Sequence, residues 1–332
     1  MRKEKKPVFY GGQAVMEGVL MRGTKAYAMA VRRPNGEIQI IQKPLSTITE
    51  RYSILKLPLL RGIIAFGSTL SMGFSALTQS AEIAMQEETQ PTSRFERFLQ
   101  EKLGDKLNDI LMGVFMVLGV ALALGLFMLL PAFIGTLLPI GGMWIGVAEG
   151  LMRIVIFVLY IFFISRSKDI QRFFGYHGAE HMAINCYEQK LPLTTENVLN
   201  HSRLHKRCGT SFMLVVMVIT MILFMFLRIE NIWLRFGSRI LMLPVIAGLS
   251  YELSVKWAGR YDNWLVRAII FPGMCLQRMT TAEPEADQIE VAVAALNNVL
   301  ELESGVLKEA VKLEETELEE MESEVKKSES AL

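Results

Sequence analysis

The stretch ILMGVFMVLGVALALGLFMLLPAFIGTLLPIGGMWIGVA, residues 110–148, contains no charged side chain. About 20 helical residues cross a bilayer core, so these thirty-nine hold two helices and a turn. Pro131, Pro139 and the Gly141-Gly142 pair mark the turn, because proline removes a backbone donor and glycine tolerates reversals of the chain. The second helix continues through LMRIVIFVLYIFFI to about Ile164, which makes 110–165 a first transmembrane hairpin. A second hairpin over 211–257 begins with SFMLVVMVITMILFMFL (211–227) and returns through a shorter segment, about Ile240 to Val255, that carries Pro244 and Gly248.

Composition agrees with a membrane protein that has sizeable aqueous parts: 51% of the residues are hydrophobic, yet 21% are charged. The start, MRKEKKPVFYGG, is basic but leads into glycines, not the apolar core of a signal peptide. Residues 1–109 contain sixteen Lys or Arg, the 131–142 turn none and residues 166–210 seven. By the positive-inside rule the termini and the 166–210 loop are cytoplasmic, as in a multi-pass protein of a bacterial inner membrane. Arg228, Arg235 and Arg239 fall in the loop assigned to the far side and count against this orientation without reversing it. IIAFGSTLSMGFSALTQSA (63–81) is uncharged but rich in Ser, Thr and Gly. A full crossing there would invert every later loop, so an interfacial or re-entrant helix is expected, as for the short IIFPGMCL (269–276).

The fold class is therefore mainly α: about four transmembrane helices plus interfacial or re-entrant helices, with a small N-terminal β-hairpin element on the cytoplasmic side. Seven segments follow along the chain. Residues 1–52 form the N-terminal segment, in which AYAMAVRRPNGEIQIIQK (26–43) alternates around Asn35-Gly36, a hairpin-turn signal, while GGQAVMEGVLMRG (11–23) reads as irregular backbone with close approaches and lacks the spacing of a phosphate-binding loop. The interfacial helix and linker occupy 53–109, the two hairpins 110–165 and 211–257, and a histidine-rich loop 166–210. In 258–300, TTAEPEADQIEVAVAALNNVLELE supplies a capped amphipathic helix for the cytoplasmic face. An acidic tail, 301–332, has eleven Glu against four Lys and reads as a solvated run.

All four histidines lie in the 166–210 loop. Residues four apart on a helix differ by about 40° around the axis, so His177 and His181 share a face, with Glu180 beside them. His-x-x-Glu-His is the order of the inverzincin peptidases, where the glutamate is a general base; chain length and membrane context exclude that fold, and only the geometry carries over. His201 and His205 repeat the spacing on a second expected helix that opens near Thr194 or Thr195 and stops before Gly209. An antiparallel pair turning at Leu191-Pro192 gathers four imidazoles. Cys208 falls on the side of His201 and His205, whereas Cys186 lies opposite the His177 face, so Cys208 is the better thiolate ligand. The candidate metal set is His177, His181, His201, His205 and Cys208. The ion is a divalent metal with zinc as the default, and iron, manganese or nickel fit the same donors.

Glu252 in GLSYELSVKW sits at the right depth to reach the histidine loop as carboxylate ligand or base; Glu17 and Asp262 are weaker candidates. Glu149 and Arg153, four apart in the second span, can pair. Gly142, Gly146 and Gly150 make a small-residue packing face. The basic residues are spread along the N-terminal part and form no nucleic-acid reading element.

GGQAVMEGVLMRG (11–23), YHGAEHMAINCYE (176–188), HSRLHKRCGTSF (201–212), AGLSYEL (247–253) and LQRMTTAEPEADQIEVAVAAL (276–296) together resemble, in order, the YqhQ-like family of uncharacterised bacterial multi-pass membrane proteins. The resemblance covers nearly all of the chain up to about residue 300 and implies an inner-membrane protein predicted to be a metal-dependent enzyme, with no reaction named. The expected function is a membrane protein with a cytoplasm-facing metal site, acting as a metal-dependent hydrolase on a lipid-linked or membrane-inserted substrate, Glu180 and Glu252 being the candidate catalytic carboxylates. Two other readings use the same residues: a non-catalytic metal sensor or carrier, and an assembly factor or scaffold.

Overall fold

The computed structural model describes residues 10–45, 52–85, 106–227, 229, 231–258, 261 and 263–305. Four strands come first: β1 (Gly11–Val15), β2 (Gly18–Arg22), β3 (Ala26–Arg32) and β4 (Ile38–Pro44), joined as an antiparallel meander in sequence order. The β3–β4 turn falls at Asn35-Gly36 as expected, with Gly36 at φ +88° and the Asn35 side chain accepting from Glu37 N–H. The 11–23 segment is not irregular. Val15 pairs with Gly18 across a two-residue turn, where Glu17 has φ 48° and its carboxylate is gripped by Arg172 through two 2.7 Å bonds and by Tyr176 at 3.1 Å. Glu17 is thereby a turn anchor.

Strand alternation gives the sheet two apolar faces. One carries Ala14, Val19, Met21, Ala26, Ala28 and Ala30; the other carries Val15, Leu20, Met29 and Val31. The first face packs against α5 (Lys168–Glu188) and against the C-terminal helix over residues 286–305, here α10. Ala76 and Ile83 of α1 (Leu60–Ala84) cover the second. The four-stranded sheet is thus sandwiched between helices.

The remaining helices are long and apolar. α2 (Lys106–Leu124) passes through a π-helical turn (Gly125–Leu129) into α3 (Leu130–Leu137), and α4 (Met143–Ile164) follows a reversal at Gly142, φ +66°. After α5, a short α6 (Thr195–Leu199) precedes α7 (Gly209–Phe226), α8 (Ile232–Tyr251) with a π extension (Glu252–Ala258), and α9 (Trp264–Thr280). Asn231 and Asn263 cap α8 and α9 through their side-chain oxygens. Among the described residues five helical stretches are long and apolar enough to cross a membrane: Leu60–Ala84, Gly113–Leu137, Met143–Ile164, Gly209–Phe226 and Gly237–Val255. Their outward faces expose Phe115, Leu137, Phe163, Phe226 and Leu241, a surface that suits hydrocarbon and not water.

Small residues let these helices approach. Gly146 and Gly150 lie against Met225 and Met221 of α7, and Gly62 of α1 against Gly248 of α8. The 63–81 segment is one unbroken helix, so a re-entrant break is not what the chain forms there. Residues 269–276 likewise belong to the longer α9, which continues through Pro272.

Buried charges depart from expectation. Glu149 pairs with Arg239, and both are buried; Arg153 instead donates through Nε to the Phe127 carbonyl at 2.7 Å. Pro131 has no N–H to complete the ladder at the π turn, and the loosened backbone offers the Phe127 and Met128 carbonyls to Arg153 and Arg239. Arg239 is therefore a buried helix residue and not a loop charge. The tail reading also stops short: Glu303 is 2% exposed and belongs to α10. Asp262 and residues 306–332 lie outside the described residues.

Candidate metal centre

α5 enters the sheet core with Tyr176, Ala179, Met182 and Ala183 fully buried, which fixes its rotation and turns His177, Glu180 and His181 inward. Gly178 permits this docking, since a Cβ there would strike the Ala282 carbonyl. The carbonyl of Phe174 also accepts Ala282 N–H at 2.9 Å.

The second half of the centre is not a helix bearing His201 and His205. Thr194 caps α6, but α6 ends at Leu199 and residues 201–208 run irregularly into α7. Polar and charged residues from Asn200 to Arg207 offer few apolar contacts to hold another helical turn, and the chain is pinned by side chains instead. Asn185 of α5 donates to the carbonyls of Ser202 (2.7 Å) and Leu204 (3.1 Å). Gln277 of α9 accepts His205 N–H at 2.9 Å, donates to His205 C=O at 2.9 Å and donates to Ser211 Oγ at 2.8 Å. Positions 205 and 211 flank Cys208, whose own N–H bonds His205 C=O at 3.4 Å. Gln277 thus sets the path of the chain on both sides of the thiol.

His177, His181 and Cys208 converge, their ligand atoms all within 4.8 Å of one another. Cys208 Sγ lies 3.3 Å from His177 Nε2, and the His177 and His181 rings are 4.4 Å apart. Each ring is oriented from behind. His177 Nδ1 meets the Thr280 carbonyl at 2.8 Å and His181 Nδ1 meets the Arg203 carbonyl at 2.6 Å. A carbonyl only accepts, so both Nδ1 atoms carry a proton, and in the neutral rings both Nε2 atoms present lone pairs. Backing a histidine with a carbonyl is how proteins orient metal-binding imidazoles.

His205 packs 5.6 Å from His181, ring to ring, but its Nε2 faces Glu188 at 3.8 Å. Burial pushes the His205 pKa down, against the pull of Glu188. Glu188, facing His205 and hydrogen-bonded to Arg207, is held down at about 2. His201 leaves the group: its Nδ1 bonds Asn197 C=O at 2.8 Å in its own turn. Cys186 points elsewhere, its thiol 3.7 Å from Pro192 C=O, and burial raises its pKa.

Glu180 is the buried carboxyl of the site. Burial pushes its pKa up to about 7, opposed by the adjacent His177 and by the Gly12 N–H that it accepts. β1 comes so close that a Cβ on Gly12 would sit 2.7–2.8 Å from the Glu180 side chain. Glu252, by contrast, is engaged by Arg61 of α1 through two bonds, 2.7 and 2.5 Å. Gln277, Gly12 and the carbonyls of Thr280 and Arg203 escaped the sequence reading. LQRMTT does place a glutamine and a threonine just before α10, but nothing in that string shows a contact with residue 205.

A β-sheet packed between helices, five described helices of bilayer length and a largely buried His/Cys cluster define a helical protein of membrane type. Residues 57–302 match the family model described as "Protein of unknown function (DUF1385)", and the chain belongs to that family. It is 35% identical over 316 residues, covering 92% of this chain and 96% of the other, to "Uncharacterized protein YqhQ" of Bacillus subtilis (strain 168). No solved structure matches.

Proposed function

We propose that the chain is a membrane metalloprotein whose divalent ion, zinc by donor chemistry, is held by His177 Nε2, His181 Nε2 and Cys208 Sγ. The observation that carries this reading is the pair of backbone carbonyls behind the two imidazoles, which aims both lone pairs at the space beside the thiol. Two nitrogens and a thiolate suit zinc. Three protein ligands leave a fourth position open, the arrangement of catalytic and not structural zinc.

A zinc ion bound there supplies Lewis acidity and acidifies a water molecule. The residues of the chain do the rest. Glu180, buried next to His177, takes a proton at its carboxylate; Gly12 N–H holds that carboxylate in place; Asn185 and Gln277 keep the Cys208 loop from yielding. Hydrolysis of a substrate presented at the bilayer surface is the reaction class this arrangement fits. The Lys and Arg distribution supports a metal loop on the cytoplasmic side of a bacterial inner membrane. The packing of α1 against a sheet face supports an interfacial position for that helix, since a four-stranded open sheet beside it carries edge backbone groups that hydrocarbon cannot satisfy.

Cobalt substitution tests the ligand set and the open position together. Wild-type protein shows a thiolate-to-cobalt absorption band and an exchangeable water, and Cys208→Ser loses the band. A closed sphere of four protein ligands would instead favour a non-catalytic sensor or carrier. Glu180→Gln separates the roles further: metal content is kept and hydrolysis of lipid-linked or membrane-peptide substrates falls about 10²–10⁴-fold.

A further inference from the structure

A cavity of about 1070 Å³ lies on the other face of the sheet from the metal centre, between β2, β3 and α1. Its chemistry is lopsided. Arg22, Lys56 and Arg61 line it together with Tyr27 and Tyr251, and among the described residues no acidic side chain does. Arg61 is balanced by Glu252, but neither Arg22 nor Lys56 forms an ion pair among the described residues. Arg22 makes one 3.4 Å bond, to Thr69 Oγ1, and burial pushes its pKa down. A partly buried guanidinium without a counter-charge carries a desolvation cost that an arriving anion would relieve.

The α1 wall is striped. Ser68, Ser71, Ser75 and Gln79 face the cavity at intervals of three and four residues, and Ile63, Ile64 and Met72 of the same helix, with Leu20 and Met29 of the sheet, add apolar lining. Two cations and apolar side chains lining one cavity beside a bilayer-length helix match a molecule with one negative head and an apolar body. The volume exceeds a free phosphate many-fold and stands at the upper end for ligand sites.

We propose that this cavity binds an anionic phospholipid, its phosphodiester between Arg22 and Lys56, its headgroup hydroxyls on the serine stripe and its first acyl carbons against Leu20, Met29, Ile63 and Met72. Guanidinium and ammonium groups both bind phosphate oxygens strongly once water is reduced. The sheet separates this site from His177, His181 and Cys208, since Gln13 of β1 faces α1 whereas Gly12 faces Glu180. The site is therefore independent of the metal reading.

The test uses full-length protein in a neutral detergent, titrated with short-chain phosphatidylglycerol, short-chain phosphatidylcholine or inorganic phosphate, and read by calorimetry and by the shift of the unfolding midpoint. The glycerol lipid binds and raises the midpoint; the zwitterionic lipid and free phosphate bind at least tenfold more weakly. Arg22→Gln with Lys56→Gln weakens the anionic lipid at least tenfold and leaves metal content unchanged. Ser71→Trp, which fills the cavity and retains both cations, blocks the lipid as well and keeps the test decisive should the charge variant fail to fold. Equal affinity for both lipids, phosphate binding as tight as the anionic lipid, or a Ser71→Trp protein that binds like wild type would each overturn the proposal.

Discussion

Gln277→Leu is the perturbation whose cost can be worked out most fully. The side chain is 0% exposed, makes two hydrogen bonds to the main chain of His205 and one to Ser211, and adds a long 3.7 Å contact to Met274 Sδ. Leucine is close in volume and leaves no cavity, but it strips the partner from a buried N–H and from one lone pair of a buried C=O. Each such loss costs about 1–3 kcal/mol, so about 2–6 kcal/mol in all, a large part of the roughly 5–15 kcal/mol that holds a folded domain. His205 C=O also receives the Cys208 N–H, so a loosened residue 205 displaces the thiol. Zinc affinity should fall about 10–100-fold, the range seen when supporting groups behind metal ligands are removed. Competition against a chelator of known affinity measures the binding and calorimetry in detergent the stability. Zinc affinity within twofold of wild type together with an unmoved unfolding transition would refute the reasoning.

Three other outcomes follow from the same contacts. Glu303 accepts bonds from Lys25 N–H, Tyr10 and Thr24; burial raises its pKa, but these bonds win and leave it below the ordinary glutamate value. A depressed folded pKa means that the unfolded chain binds more protons in acid, so the docking of α10 on the sheet is complete above about pH 4.3 and weakens as pH falls through the folded pKa. Proteolysis of α10 should accelerate in that window for wild type and lose its pH dependence in Glu303→Gln. Glu149→Ala removes the carboxylate from buried Arg239 and should cost about 3–5 kcal/mol, with much of the loss recovered in the Glu149→Leu, Arg239→Met double variant; thermal unfolding in detergent reads both. Gly178→Ala drives a methyl into the Ala282 carbonyl and should destabilise by about 1–3 kcal/mol, whereas alanine at the uncrowded Gly209 should not, a contrast that the same melting measurement resolves.

The parts of the site that were legible in the sequence share one property: they are side chains spaced along a single continuous helix. His177 and His181 could be paired from the i, i+4 rule because α5 runs unbroken from Lys168 to Glu188. The same geometry set Cys186 aside, opposite the His177 face of α5, whereas the placing of Cys208 beside His201 and His205 assumed a helix that the chain does not form there. His201 failed because the rule was applied past Leu199, where side-chain clamps on the backbone replace helical hydrogen bonds. The carbonyls of Thr280 and Arg203 carry no residue-type signature at all, and Gln277 acquires its role only when α9 folds back over the loop. In the fold, hydropathy located the apolar helices and the Asn35-Gly36 hairpin, but not the partner of Glu149: Arg239 was assigned to a loop because a charge at the edge of an apolar run looks like an end until its carboxylate is seen on a neighbouring helix. Glu303 was absorbed into the acidic run for the same reason. Its burial depends on the far end of the chain, Tyr10.

The metal content of four purified proteins, dialysed against metal-free buffer, tests the central claim most directly. Wild type and His201→Ala should each keep close to one equivalent of zinc, because His201 bonds within its own turn. His177→Ala and Cys208→Ser should lose it while remaining folded. Folded wild-type protein without metal, or a His201→Ala variant that loses metal as completely as His177→Ala, would contradict a centre built from His177, His181 and Cys208.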